Sequence, residues 1–161
     1  GVRVSILTNS LASTNQVLVH GAYARARHPL LSGGVDLFEL KPTASGRTIH
    51  ASLSSDRSSL HGKCFSVDGK RGFIGSFNFD LRSAYLNTEM GIIFDQADIA
   101  AEMRRIFDQD TSAARSWRLS LADGAPRWAD EWRSIGREPH ADSLRTGLAW
   151  VAGRLPIRSQ L

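Results

Sequence analysis

A single cysteine, Cys64, stands in the 161 residues. No intrachain disulfide can form and no cysteine metal cluster can assemble. Between its apolar neighbours the thiol reads as a small buried side chain. Lysine is scarce as well: of the 20 basic residues only Lys41, Lys63 and Lys70 are not Arg, so a lysine inside a motif gains weight. Charge is missing between Val4 and Ala24, yet Thr8, Asn9, Ser10, Ser13, Thr14, Asn15 and Gln16 interrupt that stretch. It is too polar to span a bilayer, which takes about 20 mainly apolar residues. No signal peptide is visible. The chain opens at Gly1 directly on a strand pattern and reads as a fragment of a longer protein. Its net charge of +4 admits an anionic partner but is too mild and too evenly spread to single out nucleic acid. No run of Arg and Lys interleaved with aromatics marks a groove for a nucleic-acid strand, so nucleic acid is not an expected partner.

The length suits one domain with one core, and 42% apolar residues is ordinary for a folded globule. Val2, Val4, Ile6 and Leu7 predict a short buried strand ending at Thr8-Asn9-Ser10. Thr14 or Asn15 caps a predicted helix that runs to about Leu31 and ends at Gly33-Gly34. "VDLFELKP" alternates as a strand and stops at Pro42. Such a strand, helix, strand unit implies a right-handed crossover to a parallel neighbour. Residues 43–58 read as a loop, followed by strands over 60–67 and 71–75 joined at Asp68-Gly69. A short helical piece from near Phe77, a strand over "MGIIFD" and a charged helix from about Gln96 to Ala114 complete a core of residues 1–114. Residues 115–161 read as an appendage, with a hairpin around Asp123-Gly124 and a final helix. The fold class is α/β with a mixed β-sheet flanked by helices, all in one domain.

The chemistry gathers in "SLHGKCFSVDGKRGFIGSFNFD". Strand residues two apart share a face, so His61 and Lys63 project together while Gly62 and Cys64 point away. Ser76 and Asn78 lie where the second strand yields to a helix, a place that favours an anion. A possible nucleophile or proton donor, a fixed ammonium and two neutral donors suit a phosphate group. A metal fits less well: His61 has no second His or carboxylate at ligand spacing, and the ammonium would repel a cation. Neither a metal nor another cofactor is expected.

These residues carry a resemblance. His61, Lys63 and Asp68 reproduce the H-x-K-x-x-x-x-D pattern of the phospholipase D superfamily, and Gly75, Ser76 and Asn78 its G-S-x-N element. Glu89 stands where many members have an acidic residue that orients the histidine. "ILTNSLAST", "GVDLFELKP", "GSFNFDLRSAYLNTEMG" and the closing "LPI" are similar to the second half of bacterial cardiolipin synthase-type proteins. Those carry two motifs that meet in one active site. Here there is one copy, since His20, His28, His50 and His140 lack a Lys two positions on. They read as structural or surface residues, as does Tyr23. Asp80, Arg82 and Asn87 match the extended pattern and divide evenly between helix-end pairing and a lesser substrate role, and Phe77 and Phe79 read as core or pocket wall.

The resemblance implies a phospholipase D-like half domain that transfers a phosphodiester through a covalent phosphohistidine. His61, Lys63, Ser76, Asn78 and Glu89 are the implied catalytic set, with Asp68 and Gly75 structural. His61 is either the nucleophile or the general acid. The implied reaction is phosphatidyl transfer, with phosphatidylglycerol as substrate and a second motif half, from the same parent chain or a second copy, as partner. The implied location is bacterial, peripheral to the cytoplasmic membrane, with an anionic membrane surface as a further partner. The alternatives are a phosphodiesterase or nuclease acting as a single-motif homodimer, and an inactive C-terminal domain that binds phosphate or anionic membrane. In the last helix, over 142–155, Leu144, Leu148, Val151 and Leu155 form a stripe. Its ordinary globular period favours packing on the domain or on the missing half over lying on a membrane surface.

Overall fold

The computed structural model describes residues 1–14, 16–42, 60–78 and 80–154. Two compact units divide them, one from the residues up to Leu60 and from Asp110 onward, the other from His61–Gln109. The expected loop over 43–58 lies wholly outside the described residues, as do Phe79 and Leu155.

The first unit holds a five-stranded sheet in the order β1-β2-β6-β7-β8. Strand β1 (Ser5–Asn9) pairs in parallel with β2 (Asp36–Leu40), as the strand-helix-strand reading requires. Between them the expected single helix is two, α1 (Val17–Ala24) and α2 (Arg27–Ser32). Pro29 explains the break: it has no N–H to give the Arg25 carbonyl, and its ring crowds that same oxygen. Strands β6 (Ser116–Ala122) and β7 (Ala125–Ala129) form the hairpin expected at Asp123-Gly124, both of which take the left-handed conformation. Strand β6 also pairs antiparallel with β2, and the two-residue β8 (Ser134–Ile135) pairs with β7. Leu37, Trp117, Leu119 and Trp128 are buried here, with Ile6, Tyr23, Leu30, Leu31 and Ile135 packed against them. Each such side chain withdrawn from water contributes about 1.5–3 kcal/mol.

Beside this core lies a buried ionic cluster. Arg27 Nε donates to Glu39 Oε1 at 2.7 Å and Arg27 Nη1 to Glu138 Oε1 at 2.5 Å. Tyr23 OH and Trp128 Nε1 also donate to Glu39, both at 2.9 Å. Arg27 Nη2 meets His20 Nε2 at 2.9 Å, and since a guanidinium only donates, that ring nitrogen accepts. Burial alone would push the Glu138 carboxyl up, but the charge and hydrogen bonds of the Arg27 guanidinium outweigh it and hold it below the usual range. His20 and Tyr23 are therefore structural, as expected.

The last helix, α5 (Ser143–Ala152), is capped by Asp142, whose Oδ1 accepts from Arg145 N at 2.7 Å. It packs on α1 through small residues. A Cβ on Gly21 would collide with the Ala149 carbonyl and the Ala152 side chain, and one on Gly153 with the Gly21 carbonyl. The leucine-valine stripe is not the packing face: Leu144, Leu148 and Val151 are exposed. The expectation that the stripe packs on this domain is corrected for these three residues, because backbone-to-backbone approach at Gly21 selects the alanine face instead.

The second unit holds an antiparallel sheet, β3 (Lys63–Val67), β4 (Arg71–Gly75) and β5 (Gly91–Asp95), with α3 (Leu81–Tyr85) and α4 (Ala97–Asp110). At the β3–β4 turn Lys70 N donates to Val67 O at 3.1 Å. Asp68 and Gly69 between them have φ of 53° and 63°, the geometry of a tight hairpin turn. Helix α3 begins later than expected because Asp80 is its cap, accepting from Ser83 N at 2.7 Å.

Candidate active site

The open end of the β3–β4 hairpin gathers the motif. His61 lies just before β3 and Lys63 is its first residue, paired across the sheet with Gly75, which pairs in turn with Gly91. The side chains of His61 and Lys63 meet, with Nζ 3.3 Å from the ring Nε2. An ammonium can only donate, so Nε2 accepts and the ring proton sits on Nδ1. The imidazole is exposed and the lysine half-buried. Gly75 is a packing requirement: a Cβ there would strike the Met90 carbonyl and the Phe73 ring, and the same ring covers Gly91.

Ser76 follows β4 and is locked to the residue before β5. Its N–H donates to Met90 O at 2.9 Å, and its Oγ accepts from Met90 N at 3.0 Å. The hydroxyl proton goes to Glu89 Oε2 at 2.5 Å. The other carboxylate oxygen accepts from Asn87 Nδ2 at 3.1 Å, and Asn87 Oδ1 accepts from Arg82 Nε at 3.1 Å. The Ser76 hydrogen bond, with help from Asn87 and the charge of Lys63, holds the Glu89 carboxyl below the usual range. Glu89 is thus ionised at neutral pH and lies within the field of Lys63.

The sequence-derived set therefore resolves into two contact groups, His61 with Lys63 and Ser76 with Glu89, coupled through the charges of Lys63 and Glu89. Glu89 engages Ser76 and Asn87 rather than the His61 ring. Asn78 is exposed beyond Ser76, outside this hydrogen-bonded network. Asp68 sits in the turn at the opposite end of the hairpin from Lys63, where Lys70 and Arg71 pair instead with Asp95. Cys64, expected to be buried, is exposed. Sequence reasoning missed the Met90 backbone as the lock on Ser76, since any residue could offer that carbonyl and amide. The Arg82–Asn87–Glu89 relay was visible only as residues of the extended pattern.

Residues 1–111 match the family model described as cardiolipin synthase, PLD-like domain. The chain belongs to this family. Cardiolipin synthase C of Escherichia coli K12 is 41% identical to the PLD-like chain over 165 residues, covering 98% of the chain and 35% of that protein. An uncharacterized protein of Helicobacter pylori J99 is 39% identical over 121 residues, covering 75% of the chain and 24% of its own length. Cardiolipin synthase A of Cronobacter sakazakii is 30% identical over 129 residues, covering 80% of the chain and 23% of that protein. The PLD-like chain thus spans about a third or less of the length of these relatives. No solved structure matches it. Among the described residues no helix is long and apolar enough to cross a membrane.

Proposed function

We propose that this chain supplies one histidine half-site for phosphatidyl transfer, with phosphatidylglycerol as the donor and the second half-site contributed by another motif-bearing segment. The contact of His61 with Lys63 at 3.3 Å carries the reading. Lys63 holds a proton against Nε2 and has no need of it there once a phosphate arrives. Moving that N–H to a non-bridging oxygen frees the Nε2 lone pair and neutralises charge building on the phosphoryl group.

In the first displacement an imidazole nitrogen forms a P–N bond as the bond from phosphorus to the departing alcohol breaks. The opposing histidine gives that alcohol its proton. In the second, the same opposing histidine takes the proton of the acceptor alcohol, which attacks phosphorus as the P–N bond breaks. His61 serves one of these two roles: as the nucleophile it attacks through the freed Nε2, and as the general acid it must first take up a second ring proton on Nε2 once Lys63 has turned to the phosphate. Glu89, ionised and fixed by Ser76 and Asn87, steadies the positive charge of the Lys63 end of the site.

The test measures cardiolipin and glycerol formed from phosphatidylglycerol by a longer protein that joins this chain to a second motif. Turnover should survive EDTA and fall by about 100-fold or more in His61→Ala. Normal turnover in the variant, or loss with EDTA, rejects the mechanism.

A further inference from the structure

Helices α1 and α5 run side by side in the same direction. Arg145 reaches the Thr14 carbonyl at their N-terminal ends, and Arg25 Nη1 donates to Gly153 O at 2.6 Å at their C-terminal ends. Their joint packing uses up the small residues and turns the large apolar ones outward. Leu18 and Val19 of α1 and Leu144, Leu148, Trp150 and Val151 of α5 are all exposed, Leu144 by 72% and Trp150 by 60%. This inverts the usual surface helix, whose apolar stripe faces the core. This much exposed apolar side chain on two helices packed together points to an interaction site.

Basic charge predominates around the pair. Neither helix contains an acidic residue. Arg25 and Arg154 flank the C-terminal ends, and Arg145 lies in the first turn of α5. Asp142, the carboxylate at the N-terminal edge, is committed to capping α5. The Arg154 guanidinium lies 3.4 Å from the centre of the Trp150 ring, so an exposed indole and an exposed cation sit at one depth. An indole beside a guanidinium, next to bare leucine and valine with no carboxylate among them, matches the layering of a membrane surface. The apolar groups enter the acyl boundary, the indole rests among the headgroups, and the cation meets their phosphates.

We infer that the outer face of the α1–α5 pair docks on an anionic lipid surface. Only the choice of phosphatidylglycerol as the test lipid rests on the proposed substrate. Docking is read by flotation and needs no turnover, so failure of docking and failure of the phosphatidyl-transfer reading are separable.

The experiment floats the 161-residue chain with vesicles of phosphatidylcholine alone or with phosphatidylglycerol, at low and high salt. Binding should require phosphatidylglycerol and weaken with salt. It should fall by about tenfold or more in Leu148→Glu/Val151→Glu, which removes apolar contact and adds charge repelled by the lipid. Two variants should bind as the wild type does: Ile93→Glu, which alters an exposed apolar residue of the other unit, and His61→Ala. Circular dichroism and the melting temperature of each variant establish that it folds. Absence of binding by the wild type, or binding that the double substitution leaves intact, overturns the inference. A dimer that the double substitution dissolves, in a chain that ignores vesicles, also overturns it and assigns the face to a second copy.

Discussion

Glu89 illustrates what a single side chain can reveal at this site. Both its oxygens are taken, by Ser76 and Asn87, and its pKa is depressed chiefly by the Ser76 hydrogen bond. A depressed carboxylate pKa adds stability that is fully present above the ordinary value of 4.5 and fades as pH falls through the folded value. The melting temperature of the wild type should therefore drop more steeply below that pH than that of Glu89→Gln, and the two curves should converge in acid. Parallel curves would show that these contacts do not form in solution. That His61 and Lys63 meet was legible from their alternate spacing, although the strand expected over 60–67 begins only at Lys63. The partner of Glu89 was not, because sequence separation does not say which of several neighbouring groups a flexible carboxylate will meet.

At the scale of elements, the buried cluster ties α1, α2, β2, β7 and the segment carrying Glu138 into one network. Glu39 is fully buried and accepts from Arg27, Tyr23 and Trp128. Removing the guanidinium leaves that charge without its counter-ion, which costs about 3–5 kcal/mol for a buried pair. Arg27→Met should lose that much by denaturant unfolding at neutral pH, and Arg27→Met/Glu39→Met should regain part of it. A loss below about 1 kcal/mol in the single variant would mean that water reaches the cluster. Both hairpins were legible from Asp-Gly pairs, because few other residues tolerate the left-handed turn. The break at Pro29 was missed because the apolar spacing runs through it. The packing face of α5 was missed for a different reason: Leu144, Leu148 and Val151 look like a core stripe, whereas closeness at Gly21 outweighs bulk. Strand β8 is too short to leave a pattern, and only its pairing with β7 defines it.

Across the whole molecule, the two sheets differ in how far apart in the chain their partners lie. In the sheet that carries His61, Lys63 and Ser76, each strand pairs with its successor: Val67 with Arg71, and Gly75 with Gly91. In the other, β2 waits for β6, with Phe38 opposite Arg118. Closing a long loop costs more entropy than closing a short one, and chains rich in local pairings fold faster. The hairpin that carries His61 and Lys63 should therefore assemble first, with its residues placed before the larger core has closed. On a ribosome it would be complete while the partner of β2 is still unmade. Pulsed hydrogen exchange during refolding should protect the β4 amides ahead of those that β2 exchanges with β6. Simultaneous protection would mean that the pairing of β2 with β6 gates everything else. A site written in one short run of sequence is also one that chain growth can finish early.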